Sequence, residues 1–180
     1  SVLEDHLDCE QGDLPEEIFR KDLLCPRIFL EELTPYRSMI RGFFEEETKR
    51  SFAEQPERIL DYLKKNITFH AEEEYDTIMA TPVGVLTMKQ GSPLAQKILF
   101  VAICRSLNVA ARLNPVTLEP EYYRDGAFHS VETEAAVLKD ETESAVLTLN
   151  AEDGSAWKYY QTWTIGKWNG TVFETLNYEE

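Results

Sequence analysis

Positive charge is scarce in this sequence. Eighteen Lys and Arg stand against thirty-three Asp and Glu, leaving a formal net charge of −15. Nucleic-acid binders cluster Lys and Arg to displace phosphate counterions, so this balance argues against nucleic acid as a partner. It also disfavours anionic membrane surfaces. Long apolar runs are missing: the longest, around Ile98–Cys104, is far too short to span a bilayer. Cysteine is rare and odd in number, with only Cys9, Cys25 and Cys104. At least one thiol is therefore free and no disulfide scaffold is expected. Cys104 falls in an apolar helical run and reads as a small buried hydrophobe, while Cys9 and Cys25 remain open to pairing in an oxidising compartment. Gly84 and Gly91 are isolated, with no phosphate-loop lysine pattern after them, so no nucleotide cofactor is expected. His6 and His70 lack neighbours at metal-ligand spacing. The acidic run Glu72-Glu73-Glu74-Tyr75-Asp76 lacks the ligand and glycine spacing of a calcium loop, so no metal is expected either.

What is present is ordinary for a globular chain: 180 residues, 43% hydrophobic and 28% charged. That length makes one domain, or one and part of a second, and buries roughly 70% of the unfolded surface without a staple. The chain opens Ser1-Val2-Leu3-Glu4-Asp5, with no initiator Met and no signal-peptide regions, and is read as a mature or excised segment.

Helical signals dominate the first half. Glu16–Leu24 carries Ile18, Phe19, Leu23 and Leu24 and ends at Cys25-Pro26, because the residue before proline is pushed out of the helical region. Thr34-Pro35 predicts a capped restart with proline at the first helical position, running through Met39, Ile40, Phe43 and Phe44. A further helix starts near Pro56 with Ile59, Leu60, Leu63 and Ile67 in register. Residues 70–91 break the pattern, with an acidic loop and a short Val83-Gly84-Val85-Leu86 stretch. Ser92-Pro93 repeats the cap-and-proline device and opens a helix to Leu107 that is apolar nearly all round, the mark of a central element. Asn108 then suits a left-handed turn, and Val109–Leu113 reads as a buried strand. Arg105, on this apolar helix, must find a carboxylate or carbonyls and is expected to form a structural ion pair.

Beyond Pro115 the period becomes two. Glu121–Thr133 forms strands around a turn at Asp125-Gly126, Ala145–Leu149 alternates, and Trp163–Trp168, Asn169-Gly170 and Thr171–Leu176 predict a two-residue hairpin. Trp157, Tyr159, Tyr160, Trp163, Trp168 and Tyr178 make this end aromatic, a candidate recognition face for protein or glycan. Asn66-Ile67-Thr68 and Asn169-Gly170-Thr171 fit glycosylation sequons. Helices first and strands after imply an α+β fold.

The run Leu99-Phe100-Val101-Ala102-Ile103-Cys104-Arg105-Ser106-Leu107-Asn108-Val109-Ala110-Ala111-Arg112 resembles the transglutaminase-like superfamily, with Asn108 where a glycine is usual. The resemblance implies a papain-like core in which a helix packs on an antiparallel sheet. It divides the chain into a helical leader at 1–53, a core at 54–135 and a β-rich segment at 136–180. A thiol at the start of such a helix is stabilised by free amides, and a strand histidine takes its proton. His129 stands where the family carries that histidine, but the nucleophile position falls on Pro93. The Trp and Asp that usually follow the histidine have no match. The resemblance thus implies a domain that has lost acyl transfer or proteolysis and binds protein, peptide or glycan ligands in an exported bacterial protein. The alternative is an active hydrolase or acyl transferase in which Ser92 acts beside His129. Ser92 as a helix cap is the structural reading of the same residue.

Overall fold

A computed structural model of the chain describes residues 1–69, 80–131, 163–168 and 173–175. The chain divides into two compact units, Ser1–Asp140 and Glu141–Glu180. Within the first unit, helices surround one central helix that lies on a three-stranded antiparallel sheet, an α+β fold.

The first unit opens with α1 (Val2–Leu7), closed at its start by a reciprocal Ser1–Glu4 capping box. The helix predicted from Glu16 is present as α2 (Glu16–Ile18), continued by a wider π-helical turn, Phe19–Leu24, and it stops at Cys25 before Pro26. Helix α3 (Tyr36–Phe43) follows the Thr34-Pro35 pair, but Thr34 does not cap it, and its hydroxyl is buried without a partner. The cap comes from Asp5, whose carboxylate accepts the amides of Arg37 at 2.7 Å and Ser38 at 2.9 Å. A side chain from some thirty residues upstream thus satisfies donors that local reading assigned to the neighbouring threonine. Next come α4 (Glu46–Glu54), a polar helix that buries Phe52, and α5 (Glu57–Asn66), which buries Ile59, Leu60 and Leu63.

The Val83–Leu86 stretch is helical. Thr81 accepts the Gly84 amide at 3.2 Å and Pro82 opens α6 (Pro82–Met88), so the cap-and-proline device occurs here as it does at Ser92-Pro93. Two short parallel strands, β1 (Thr68–Phe69) and β2 (Gln90–Gly91), bring the end of α5 beside the start of α7. A Cβ at Gly91 would stand 3.1 Å from Val85 Cγ1 and 3.3 Å from Ala95 Cβ, so glycine permits the close approach of α6 to α7.

Helix α7 (Pro93–Ser106) is the centre of the core, and eleven of its fourteen residues are buried. Ile98, Leu99, Phe100, Val101, Ala102 and Ile103 are fully inaccessible, packed among Tyr36, Ile40, Ile59, Leu63 and Val85. Asn108 takes φ 61° after it, as its tolerance of the left-handed region predicts. The sheet runs β3 (Ala111–Leu113), β4 (Pro120–Arg124) and β5 (Ala127–Ser130) in that order. Asp125 and Gly126 form the two-residue turn between β4 and β5, both at positive φ.

In the second unit β6 (Gly166–Trp168) pairs antiparallel with β7 (Phe173–Thr175), placing Trp168 opposite Phe173. The Asn169-Gly170 turn expected between them lies outside the described residues. The strand expected at Ala145–Leu149, the acidic loop from His70, the second sequon and the aromatics Trp157, Tyr159, Tyr160 and Tyr178 lie outside the described residues.

Candidate functional site

The start of α7 is built by Ser92 and Pro93. Ser92 Oγ accepts the Ala95 amide at 3.1 Å, and Pro93 fills the first helical position, where its missing N–H leaves no partner unmet. The remaining amides and the helix dipole make this end favourable to negative charge. Neither residue carries a thiol. Cys104 lies about three turns further along and is fully buried; desolvation pushes its thiol far above the ordinary range and keeps it protonated. Cys9 and Cys25 are both free thiols.

His129 is exposed on β5, directly opposite Tyr122 on β4. The two rings stack with centroids 5.4 Å apart and an interplanar angle of 19°. Its Nε2 sits 3.1 Å from the Arg124 carbonyl oxygen. A carbonyl only accepts, so Nε2–H donates and Nδ1 is left as the basic nitrogen. Tyr122 Oη donates in turn to Glu57 Oε1 at the start of α5. This bond holds the Glu57 carboxyl below its usual range, while burial first, and then Glu57, pushes the Tyr122 hydroxyl up to about 12. Arg124 lies over the Tyr122 ring, 5.5 Å from its centroid. It donates to the carbonyls of Ala53 and Glu54 at 2.6 Å each, closing the end of α4.

The geometry therefore gathers His129, Tyr122, Arg124 and Glu57 into one group, and gives Ser92 a separate partner in its own helix. Glu57 and Arg124 carried no sequence signal for such a group, because nothing local links the α4–α5 corner to the β4–β5 hairpin. Chemically, the group offers an accessible imidazole with a free basic nitrogen, clamped by a tyrosine–carboxylate pair.

At the other end of α7 an open cleft of about 480 Å³ is lined by Asp8, Cys9, Arg41, Lys49, Arg50 and Asn108, among others. Cations and carboxylates alternate around it, with Arg41 Nη2 2.6 Å from Asp8 Oδ2 and Lys49 Nζ 2.5 Å from Glu46 Oε1. Behind it, Arg105 is not an ion pair as expected but a carbonyl-bound cation. It donates to the backbone oxygens of Ala111 at 2.8 Å, Cys25 at 2.8 Å, Arg27 at 2.9 Å and Lys21 at 3.5 Å. The guanidinium thereby ties the π-helical turn and its exit loop to β3. In the first sequon the Asn66 side-chain nitrogen is engaged, donating to the Tyr62 carbonyl at 2.8 Å.

Among the described residues no helix is long and apolar enough to cross a membrane, and no group of three or more His, Cys, Asp or Glu could hold a metal ion. Residues 37–132, just over half of the chain, match the sequence model of the transglutaminase-like superfamily. No curated protein and no solved structure matches the chain.

Proposed function

The chain belongs to the transglutaminase-like superfamily, and from that premise we propose that it is a member without acyl-transfer or protease chemistry, serving as a binding or scaffolding module of an exported protein. The observation that carries this reading is the start of α7. The resemblance puts the family's nucleophile position on Pro93, which has no side-chain nucleophile, and the adjacent Ser92 hydroxyl serves the Ala95 amide. Cys104, on the same helix, is held protonated in the core. A histidine with no thiolate or activated hydroxyl beside it among the described residues is half of a nucleophilic pair. The exported setting rests on the resemblance to secreted and surface-anchored bacterial proteins. The binding role is supported by the cleft at the end of α7, whose alternating Arg41, Lys49, Asp8 and Glu46 suit a polar peptide or a polysaccharide-linked ligand.

The exposure of His129 and its free Nδ1 favour one competing reading, a serine-variant hydrolase or acyl transferase using Ser92 with His129. The test is a turnover assay on the full chain and on His129→Ala, with peptide and ester panels and glutamine-to-amine transfer. The expected result is no turnover by either protein. Turnover above background that disappears in His129→Ala would overturn the proposal, and loss of the same signal in Ser92→Ala would then identify the nucleophile.

A further inference from the structure

Helix α1 is attached to the domain in an unusual way. Its leucines face outward, Leu3 being 67% and Leu7 57% exposed, and the one residue it buries is His6, at 1%. A six-residue helix does not persist alone in water, so its existence depends on how it is docked. The docking is polar. The Thr34 carbonyl oxygen lies 3.3 Å from His6 Nε2 and can only accept, so Nε2 carries the proton. His6 Nδ1 is then a lone pair, and it accepts from Arg37 Nε at 2.9 Å. Arg37 is itself fully buried, and its other nitrogens donate to the carbonyls of Leu23 and Arg105. Only the neutral imidazole satisfies this geometry. A proton on Nδ1 would remove Arg37's acceptor and set two cations in contact inside the core.

We propose that α1 is a pH-operated latch: protonation of His6 releases residues 1–9 from the core while the rest of the domain stays folded. The groups around His6 all bear on this. Asp5 on α1 attracts a proton to it, whereas Arg37 on α3 and Arg105 on α7 repel one. Tyr36 meets the imidazole edge-on at a centroid distance of 4.5 Å and stays neutral in the acid range. Arg41 on α3 is occupied by Asp8, and Cys9 donates its S–H to the His6 carbonyl at 3.5 Å. Burial, the largest influence, together with the two arginines sets the imidazole below its usual value despite Asp5 and the Thr34 carbonyl. Burial alone would raise the Asp5 carboxyl, but its bonds from Ser38 and Arg37 hold it below the ordinary range. It therefore keeps its charge throughout the pH interval in which His6 titrates. A group depressed in the docked state contributes docking stability that is complete above its free pKa, about 6.5, and is lost as pH falls below it. Beyond the latch, the Asn108 side chain grips the Glu10 backbone with two bonds of 3.0 Å, so release is confined to what precedes residue 10.

The test is amide hydrogen exchange on the full chain from pH 7.5 to pH 5, corrected for the chemical exchange rate. The amides to follow are those of α1, of Arg37 and Ser38, which Asp5 caps, and of α7. One-proton uptake predicts that opening of α1 and of the Arg37 and Ser38 amides rises by up to about tenfold per pH unit below about 6.5. The α7 amides should stay protected. His6→Asn, whose side-chain oxygen stands near the position of Nδ1, and His6→Leu cannot take up the proton; both should show a flat profile whatever their opening at pH 7.5. Equal slopes in wild type and variants would overturn the latch, as would α7 opening together with α1 in the wild type.

Discussion

The costliest side chains in this domain are its buried cations. Arg37 and Arg105 are 0% and 2% exposed, and neither has a carboxylate within salt-bridge distance among the described residues; both are held mainly by backbone carbonyls. Asp22 lies near enough to be affected by Arg105. Burial pushes its carboxyl up, and Arg105 and then Arg112 pull it part of the way back, so the charge of Arg105 is not matched by a firm partner. A planar guanidinium can donate to oxygens on three chain segments at once, whereas an ammonium cannot span them. Arg105→Lys should therefore leave at least two buried or part-buried carbonyls without their donor while keeping the charge buried. The expected loss is about 2–4 kcal/mol, from about 1.5–3 kcal/mol for hydrogen bonds to charged groups plus the unmet carbonyls. Urea unfolding measures it; a loss under about 0.5 kcal/mol would mean that water or a shifted carboxylate takes over the role.

At the scale of elements, Asn108 serves a turn and a long-range tie with one side chain. The position after α7 needs positive φ, which glycine adopts without strain and asparagine tolerates. Asparagine adds what glycine lacks, an amide that accepts from the Glu10 N–H and donates to the Glu10 carbonyl. Two substitutions separate the roles. Asn108→Gly keeps the turn and loses the clamp, whereas Asn108→Ala loses the clamp and strains the backbone by roughly 1–2 kcal/mol more. Thermal melts should rank wild type above Asn108→Gly and Asn108→Ala lowest. Equal melting of glycine and alanine variants would show that φ at this position is not constrained.

The same contrast between local and distant partners explains what the sequence disclosed. Helix α7, its Ser92 cap, the stop before Pro26, the left-handed Asn108 and the Asp125-Gly126 turn follow from rules that act over a few residues, and all were legible. Helix α6 obeys the same rule through Thr81-Pro82, but its four-residue Val83–Leu86 stretch was too short to show a helical period. Helix α4 was missed because it buries little beyond Phe52. The α3 cap supplied by Asp5, the burial of His6, and the tie of Tyr122 to Glu57 join residues that are dozens of positions apart. Hydropathy places such polar residues on the surface, and only the folded chain shows their partners. Of the group around His129, the sequence offered the histidine alone; its ties to Tyr122, Arg124 and Glu57 came only with the fold.

For the whole molecule the governing quantity is net charge. Exposed pairs such as Lys21–Glu17 at 2.8 Å and Arg20–Glu16 at 3.5 Å contribute little and weaken as salt is added. Lys97–Glu119, 13% and 16% exposed, is better shielded from salt. Against these few local gains stands a surplus of fifteen acidic charges that no cation in the chain can match. Their mutual repulsion is long-ranged at low ionic strength, where the Debye length is about 30 Å at 0.01 M, and is cut to about 8 Å at 0.15 M. Compactness brings these charges together, so screening favours the folded state. The melting temperature at pH 7.5 should therefore rise between about 0.01 M and about 0.15 M salt, and sodium and potassium chloride should act alike because the effect is screening rather than ion binding. Melting scans across that series decide the matter. A melting temperature that falls with salt would mean the local ion pairs outweigh the surplus, and a rise with only one of the two cations would point to a specific site among the carboxylates.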